Sequence, residues 1–203
     1  MSNATFSICS WNVRGLGDDA KCSDVLSELI SINPHIALLQ ESKLDALSDQ
    51  KLRSFMPRQL DQVFSLPAVG TAGGTISAVN TASFQVISFN HLTFSSTLIL
   101  RSMATDRNIA ITNIYAPSSR ALKQSFLDEL LAISQPDDSP WLLVGDFNLL
   151  RYPSDKNNDA FRQSEANALN QTLDELAQYT WSNNRATPTL ERIDCAFFNL
   201  AWT

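Results

Sequence analysis

The sequence predicts an α/β (α+β) fold, specifically a four-layer α/β/β/α sandwich in which two mixed β-sheets pack face to face beneath helices. Two observations support this prediction. Short apolar runs of strand length alternate along the 203-residue chain with segments of helical periodicity. In the middle of the chain, strands also follow one another with only turn residues between them. A doubly wound parallel sheet would instead need a helix after each strand.

The first part of the chain predicts a strand, a helix and a second strand. Residues 6–11 have the apolar character of a buried strand, and residues 18–32 have the periodicity of an amphipathic helix. One face of that helix is formed by Val25, Leu26, Leu29 and Ile30. Asn33-Pro34 ends the helix, because the residue before a proline is disfavoured in the α conformation. Residues 35–39 form the next predicted strand.

The rest of the chain predicts more strands and two further helices. The strands are expected at 62–66, 74–79, 84–89, 97–100, 108–115 and 141–144, followed by short ones around 179–181 and 192–198. Ser118 or Ser119 can cap a helix that runs to about Ile133. Its inward residues are expected to be Leu122, Phe126, Leu130 and Ile133. A last helix is predicted near residues 165–176.

Composition narrows the class of protein. A hydrophobic content of 44% provides for a sizeable core and excludes a disordered chain, so we expect one domain over residues 1–203. The net charge of −6 argues against strong unspecific DNA binding, although bound divalent metal can supply local positive charge. Three cysteines without a Cys-x-x-Cys pair, and no apolar run of about 18 residues, predict an intracellular protein outside the membrane. We expect a monomer.

Polar side chains recur where predicted strands end, which is where a rigid sheet presents chemical groups. These residues are Asn12, Glu41, Tyr115, Asp146, Asn148 and Asp194. In the segment 142–148, Asp146 and Asn148 are two residues apart and would point the same way from an extended chain. The carboxylate could orient or deprotonate a water, and the amide could hold a phosphate oxygen. The alternative is an ordinary turn in which both residues serve as turn formers.

The residues at three other strand ends also have both a functional and a structural interpretation. Glu41 is a suitable ligand for a hard metal such as Mg²⁺, or alternatively a surface residue that begins a loop. Asn12 precedes Gly15 and would also suit a turn. The phenol of Tyr115 could donate to a phosphate, or the ring could be a half-buried strand aromatic. The two histidines, His35 and His91, are expected to be structural or surface residues.

Taken together, these segments resemble the motif series of the endonuclease/exonuclease/phosphatase superfamily, in the same order. The segments are Ser10-Trp11-Asn12-Val13-Arg14-Gly15, Leu39-Gln40-Glu41-Ser42-Lys43, Ala72-Gly73-Gly74, Asn113-Ile114-Tyr115-Ala116-Pro117, Gly145-Asp146-Phe147-Asn148 and Arg192-Ile193-Asp194. In detail the chain looks most like the apurinic-type endonuclease domain of plant LINE-type (non-LTR) retrotransposons. The segment Tyr179-Thr180-Trp181-Ser182-Asn183, with Pro188-Thr189 after it, is typical of that subgroup.

The resemblance implies a role for each matched residue in hydrolysing a phosphodiester. Glu41 would be the principal ligand of Mg²⁺ or Mn²⁺, with Asn12 beside it. Asp146 would position or activate the attacking water, and Asn148 would help to stabilise the transition state. Tyr115 would contact the phosphate. The late acidic residue Asp194 would orient a catalytic histidine.

The resemblance also implies DNA as the substrate, and a nuclear location if genomic DNA is the target. Trp181 and Arg185 could contact DNA by stacking and by pairing with a phosphate, although Trp181 could equally be a core or hairpin aromatic. Two other functions stay open at this point. One is a phosphatase of the same fold that acts on lipid or nucleotide phosphoesters. The other is a catalytically dead domain that binds nucleic acid or a protein.

The chain departs from the family pattern in three places. Family members carry a Ser-Asp-His segment after the position of Asp194, and its histidine acts on the phosphate. This chain reaches Thr203 without that segment, so we expect a C-terminally truncated domain that lacks its last strand and is weakened or inactive. The join from Leu173 to Tyr179 is short, and Ser77 to Val79 lacks the tryptophan common in relatives.

Overall fold

The computed structural model describes residues 6–69, 72–133, 139–155, 161–176 and 194–198. The strands are β1 (Ile8–Asn12), β2 (Ile36–Gln40), β3 (Gln62–Val69), β4 (Ala72–Val79), β5 (Phe84–His91), β6 (Ser95–Ser102), β7 (Asn108–Tyr115), β8 (Trp141–Asp146) and β9 (Asp194–Phe198). The α-helices are α1 (Asp19–Ile32), α2 (Asp49–Phe55), α3 (Lys123–Ala132) and α4 (Gln163–Leu176). Two short 3₁₀ turns span Arg120–Leu122 and Pro153–Asp155.

The strands form two mixed sheets, as the sequence predicted. The first sheet has the order β1-β2-β4-β3, and the second has the order β5-β6-β7-β8-β9. In the first sheet β1 and β2 are parallel and the other pairs are antiparallel. In the second sheet β7 and β8 are parallel, again among antiparallel neighbours. Each parallel pair brings the carboxyl ends of two strands to one edge of its sheet.

Three apolar clusters show that the molecule has four layers. One cluster joins α1 and α2 to the outer face of the first sheet, with Val25, Leu29 and Phe55 against Leu39. A second joins α3 and α4 to the outer face of the second sheet. Its members include Phe126, Leu130, Leu169, Leu173, Trp141 and Leu143. The third lies between the two sheets and includes Ile36, Leu38, Leu98, Leu100, Ile109 and Ile111.

The alternation of side chains along β2 explains why a polar side chain lies between the sheets at the end of this strand. In β2, Ile36 and Leu38 face the second sheet, whereas Ala37 and Leu39 face the helices. The next residue on the inward face is Gln40, which is fully buried. This puts a polar side chain between the sheets at the end where β2 finishes.

Several details differ from the sequence predictions. The helix α2 was not predicted, although Ser48 caps it by accepting a hydrogen bond from the backbone N–H of Lys51. Ile30 and Leu122 were expected to face inward, but their side chains are 57% and 45% exposed. The strand predicted around 179–181 lies outside the described residues.

In the part of the chain that the structure describes, no helix has the length and apolar character needed to cross a membrane.

Candidate active site

The carboxyl ends of four strands meet at one edge of the sandwich. Asn12 at the end of β1 lies beside Gln40 at the end of β2. Tyr115 at the end of β7 lies beside Asp146 at the end of β8. Because both parallel pairs end at this edge, the loops that follow them form a single group. We call this edge, with Asn12, Glu41, Tyr115, Asp146 and Asn148, the catalytic edge.

Asp146 lies at the centre of the catalytic edge and joins the two sheets. Its side chain is only 1% exposed. The amide Nδ2 of Asn12 donates to Asp146 Oδ2 at 2.6 Å, across a sequence separation of 134 residues. The backbone N–H of Asn148 donates to Asp146 Oδ1 at 2.8 Å, and Asn148 Nδ2 approaches Oδ2 at 3.2 Å. These donors fix the orientation of the carboxylate.

The glycine before Asp146 is required by the packing of β8 against β7. Gly145 has a φ of 140°, and a Cβ atom there would lie 2.1 Å from the carbonyl oxygen of Ile114. No larger residue fits that close approach without moving the backbone. Because Gly145 has no side chain, β8 can pack close enough to β7 for Asp146 to lie beside Tyr115.

Asn148 is held in a left-handed conformation, with a φ of 46°. Its side-chain Nδ2 donates to the carbonyl oxygen of Ala116 at 2.8 Å, which connects the loop after β8 to the loop after β7. The Nζ of Lys123 donates to the backbone carbonyl oxygen of Asn148. Contacts from three directions thus fix this residue.

Glu41 begins the loop after β2, also in a left-handed conformation with a φ of 57°. Its carboxylate forms an ion pair with Lys43 at 2.9 Å, and the Glu41 side chain is 21% exposed. The negative charge of Glu41 raises the pKa of both Asp146 and Tyr115, because all three groups face the same space. Glu41 therefore belongs to the same site as the residues of the second sheet.

Burial is the main cause that raises the pKa of Asp146 above the ordinary value of an aspartate. The charge of Glu41 adds to this rise, whereas the hydrogen bonds from Asn148 and Asn12 and the charge of Lys123 oppose it. A buried carboxylate with a raised pKa is a stronger base than an exposed one. Asp146 therefore holds a proton more readily than an exposed aspartate does.

The phenol of Tyr115 is half-buried and stays protonated. Burial raises its pKa first, and the charges of Glu41 and Asp146 raise it further, while a backbone hydrogen bond from Gly73 lowers it. A neutral phenol can donate a hydrogen bond to an anionic group such as a phosphate. Gly73 lies close to the ring, since a Cβ atom there would be 3.8 Å from Tyr115 Cε1.

Strained backbone is concentrated at the catalytic edge. Among the described non-glycine residues, six have a positive φ. Four of the six lie in the loops that form this edge, namely Arg14, Glu41, Lys43 and Asn148. Such conformations cost roughly 1 kcal/mol or more each and persist where the surrounding contacts enforce them. Strain at this edge therefore indicates a site whose geometry is imposed by the fold.

A layer of buried amides and hydroxyls supports the catalytic edge from behind. Gln40 Nε2 donates to Asn113 Oδ1 at 2.7 Å and to Ser10 Oγ at 3.1 Å. Asn113 Nδ2 in turn donates to Ser77 Oγ at 3.3 Å. Because Gln40 and Asn113 belong to different sheets, these bonds fix the sheets relative to each other directly beneath the site.

The donor groups present fit a divalent cation of the hard type. Within the described ranges, no three His, Cys, Asp or Glu side chains lie close enough to form a metal cage. Mg²⁺ does not need such a cage, because it commonly uses one or two carboxylates together with water and substrate phosphate. Glu41 and Asp146 provide two carboxylates that repel each other, as the rise in the pKa of Asp146 indicates. A cation held at Glu41 would offset that repulsion.

The structure brings together five of the predicted site residues, Asn12, Glu41, Tyr115, Asp146 and Asn148, whose individual roles stay predictions. The backbone of Asp194 reaches the same edge, since β9 pairs with β8 and places Asp194 opposite Asp146. Trp181 and Arg185 lie outside the described residues.

His35 has a structural role, as expected. It lies at the start of β2, far along the strand from the catalytic edge, and its ring Nδ1 accepts a hydrogen bond from the backbone N–H of Ser7 at 3.1 Å.

Sequence reasoning missed Lys123, which contacts the loop after β8. A signal was present, because Lys123 has helical spacing with the buried residues Phe126, Leu127 and Leu130. A lysine on the apolar face of a helix indicates a buried partner for its ammonium group.

Comparisons with known proteins agree with this fold. The sequence profile of the endonuclease/exonuclease/phosphatase family matches residues 9–203. An AP endonuclease from Leishmania major superposes with a TM-score of 0.67 at 15% identity, covering 97% of this chain and 79% of that one. An AP endonuclease from Archaeoglobus fulgidus gives 0.67 at 16% identity, covering 96% and 87%. The catalytic domain of human Nocturnin, with a bound sulfate anion, gives 0.64 at 16% identity, covering 96% and 82%.

Proposed function

Because the chain belongs to the endonuclease/exonuclease/phosphatase family, we propose that it is a DNA endonuclease domain that hydrolyses phosphodiesters with Mg²⁺ or Mn²⁺. The observation that carries this proposal is the 2.6 Å contact between Asn12 and Asp146. It joins the first sheet, where Glu41 and Asn12 are proposed to hold the metal, to the second sheet, where Asp146 and Asn148 are proposed to act on the water and the phosphate. The similarity of the fold to two AP endonucleases supports the choice of DNA as the substrate.

In the proposed reaction, Asp146 accepts a proton from a water that attacks the phosphorus in line with the leaving oxygen. The new bond joins the water oxygen to phosphorus, the bond from phosphorus to the leaving oxygen breaks, and the leaving oxygen takes up a proton from solvent. The donors from Asn12 and Asn148 hold the Asp146 carboxylate so that one of its oxygens faces the water. Preorganised groups of this kind avoid the cost of reorienting during the reaction.

Tyr115 donates its phenolic hydrogen to a non-bridging phosphate oxygen in this scheme, since its raised pKa keeps it protonated. Asn148 stabilises the charge that develops on the phosphate. Glu41 and Asn12 would hold the divalent cation. When bound, that cation supplies positive charge that neutralises the phosphate oxygens and the leaving group. Asp194, whose backbone lies opposite Asp146, is proposed as the carboxylate that orients a catalytic histidine.

The proposed substrate is DNA, held by local cations on a chain whose net charge is −6. Arg14 and Lys43 lie in the loops of the catalytic edge, in positions from which they can approach phosphates beside the scissile bond. Trp181 and Arg185 are proposed as further DNA contacts. The sequence features of residues 179–194 support an origin in a plant LINE-type retroelement, and genomic DNA as the target would place the domain in the nucleus.

The test is nicking of supercoiled plasmid by the purified chain with Mg²⁺, together with its melting temperature in Mg²⁺ and in EDTA. At about ten times the Kd, mass action stabilises by about 1.4 kcal/mol, or about 3–6 °C. Glu41→Ala should lose both the nicking and the rise in melting temperature. Glu28→Ala, on the exposed face of α1, serves as the matched control and should keep both.

Three outcomes would contradict the proposal. Release of inorganic phosphate from lipid or nucleotide phosphoesters, without nicking, would indicate a phosphatase. Tight, salt-dependent DNA binding without cleavage would indicate a binding domain. An unchanged rise in the melting temperature of Glu41→Ala would remove Glu41 from the metal site.

A further inference from the structure

Lys123 is a nearly buried cation next to the catalytic edge. It is the first residue of α3, and only 9% of its surface is exposed. Lysine seldom occupies such a position unless its ammonium group has polar partners that compensate for the loss of water. The partners of Lys123 therefore indicate why the residue lies there.

The ammonium group of Lys123 points at the loop after β8. Its Nζ donates to the backbone carbonyl oxygen of Asn148. That residue has a left-handed backbone, which asparagine tolerates better than other non-glycine residues do, and the contact from Lys123 adds support to it. The carbonyl oxygen that accepts from Lys123 belongs to Asn148. The two groups that donate to Asp146, a backbone N–H and a side-chain Nδ2, belong to the same residue.

Two carboxylates balance the charge of Lys123. Burial lowers the pKa of Lys123, and the negative charges of Glu165 and Asp146 oppose that fall. Glu165 lies in the first turn of α4 and is itself held by Arg162 at 3.1 Å and by Arg120 at 3.4 Å. Lys123 is thus one member of a row of alternating charges that runs from Asp146 to the surface.

We propose that Lys123 is a positioning residue that fixes the backbone of Asn148 and, through it, the orientation of the Asp146 carboxylate. This inference rests on the proposed phosphodiesterase function, in which Asp146 and Asn148 act on the water and the phosphate. If Lys123 is removed, the carbonyl of Asn148 can rotate, and the two donor contacts to Asp146 move with it. In this role Lys123 acts through the backbone of Asn148.

The proposed role predicts that loss of Lys123 slows the chemical step, measured as kcat, and leaves substrate binding, measured as KM, nearly unchanged. A shift of the Asp146 carboxylate misplaces the attacking water, whereas Arg14, Lys43 and Tyr115 still contact the phosphate. The expected effect of Lys123→Met is a kcat lower by about 10–100-fold with a KM within about twofold. Methionine has nearly the length and volume of the lysine stem, so the variant removes the ammonium group with little change in packing.

Lys123→Arg and Lys51→Met complete the kinetic set. Lys123→Arg retains the charge and the donors, so it should recover part of kcat. Lys51→Met is the matched control, because Lys51 has a side chain that is 22% exposed and an ion pair with Asp19 at 3.7 Å, on the helices of the first sheet. The control should change neither kcat nor KM. Circular dichroism gives the folded fraction by which each kcat is normalised.

Hydrogen–deuterium exchange tests the positioning without any need for activity. The backbone N–H of Asn148 donates to Asp146 Oδ1, so its exchange reports directly on the contact in question. In Lys123→Met, the amides of residues 147–149 should exchange about tenfold faster than in the wild type, while those of β6 stay unchanged. Lys123→Arg should restore most of the protection.

The outcomes separate this inference from the proposed function. Faster exchange at residues 147–149 in Lys123→Met, together with a wild-type chain that proves inactive, would support the positioning role and contradict the nuclease function. Unchanged exchange, or a kcat for Lys123→Met equal to that of Lys51→Met, would overturn the positioning role. A loss of folded fraction with normal kcat per folded molecule would also overturn it, since it would show a purely structural lysine.

Discussion

The two ends of the interface between the sheets have opposite chemistry. At the end where β5 begins, the interface is apolar, and Phe84 packs with Leu100 and Ile109. At the catalytic edge, the interface consists of amides and hydroxyls, with Gln40 donating to Asn113. The same strands β2 and β7 run through both ends. The difference therefore arises along each strand, where the inward-facing residues change from apolar at one end to polar at the other.

The polar end fixes the orientation of its side chains, and the apolar end contributes stability. An apolar contact has no preferred direction, whereas a network of amides fixes the relative position of its members. The polar end also carries costs, since Gln40 Oε1 and Ser96 Oγ are among the buried atoms without a hydrogen-bond partner in the described part of the chain. The strained residues Glu41 and Asn148 lie at the same end.

Truncation of the apolar end should have the largest effect on stability. Phe84 is 2% exposed, and its ring contacts that of Phe6 edge to face at 5.2 Å. Phe84→Ala should lower the free energy of unfolding by about 3–5 kcal/mol, measured by urea denaturation. Nicking per folded molecule should stay at the wild-type level. A fall in that specific activity would show that the two ends are coupled and would contradict their separate roles.

Conversion of the polar end should have a smaller effect on stability and a clear effect on activity. Asn113→Leu removes the shortest hydrogen bond of Gln40 Nε2 and the donor to Ser77 Oγ, and it puts an apolar side chain among buried polar groups, which costs about 1–3 kcal/mol. Because Gln40 precedes Glu41, nicking per folded molecule should also fall. The matched control is Ile111→Val, two residues earlier on the same face, which should cost about 0.5–1.5 kcal/mol without loss of specific activity. Equal specific activities for the two variants would contradict a special role of the polar end.

The smallest effect is expected at the surface of the apolar end. The Thr81 hydroxyl donates to Asp61 at 2.6 Å and is the main cause that lowers the pKa of this exposed carboxylate. A lowered pKa stabilises the fold above the unfolded value and loses that effect as the pH falls through the folded value. Thr81→Val should therefore lower the melting temperature by about 1–2 °C at pH 7, and the difference should shrink below about pH 4. A difference that persists at low pH would point to lost packing instead.

Particular residues show why the sequence predicted some features and not others. The strand at 108–115 was predicted with its observed bounds, because its β-branched residues and flanking turn signals are local. The inward position of Ile30 was wrong, since periodicity defines a stripe but not how much of it the sheet beneath covers. The helix α2 was missed because seven residues carry too little periodicity to register, although Ser48 provided a cap signal.

The two-sheet architecture, the family and the polar residues at the strand ends could be predicted from the amino-acid sequence, because each of these depends on neighbouring residues or on short motifs. Which of those polar residues meet depends on tertiary packing. The contact from Asn12 to Asp146 spans 134 residues, and it depends on how two sheets pack and where their parallel pairs end. The role inferred for Lys123 likewise required the structure. A helical pattern can place a lysine on a buried face, but only the packing of α3 against the second sheet shows that Asn148 lies within its reach.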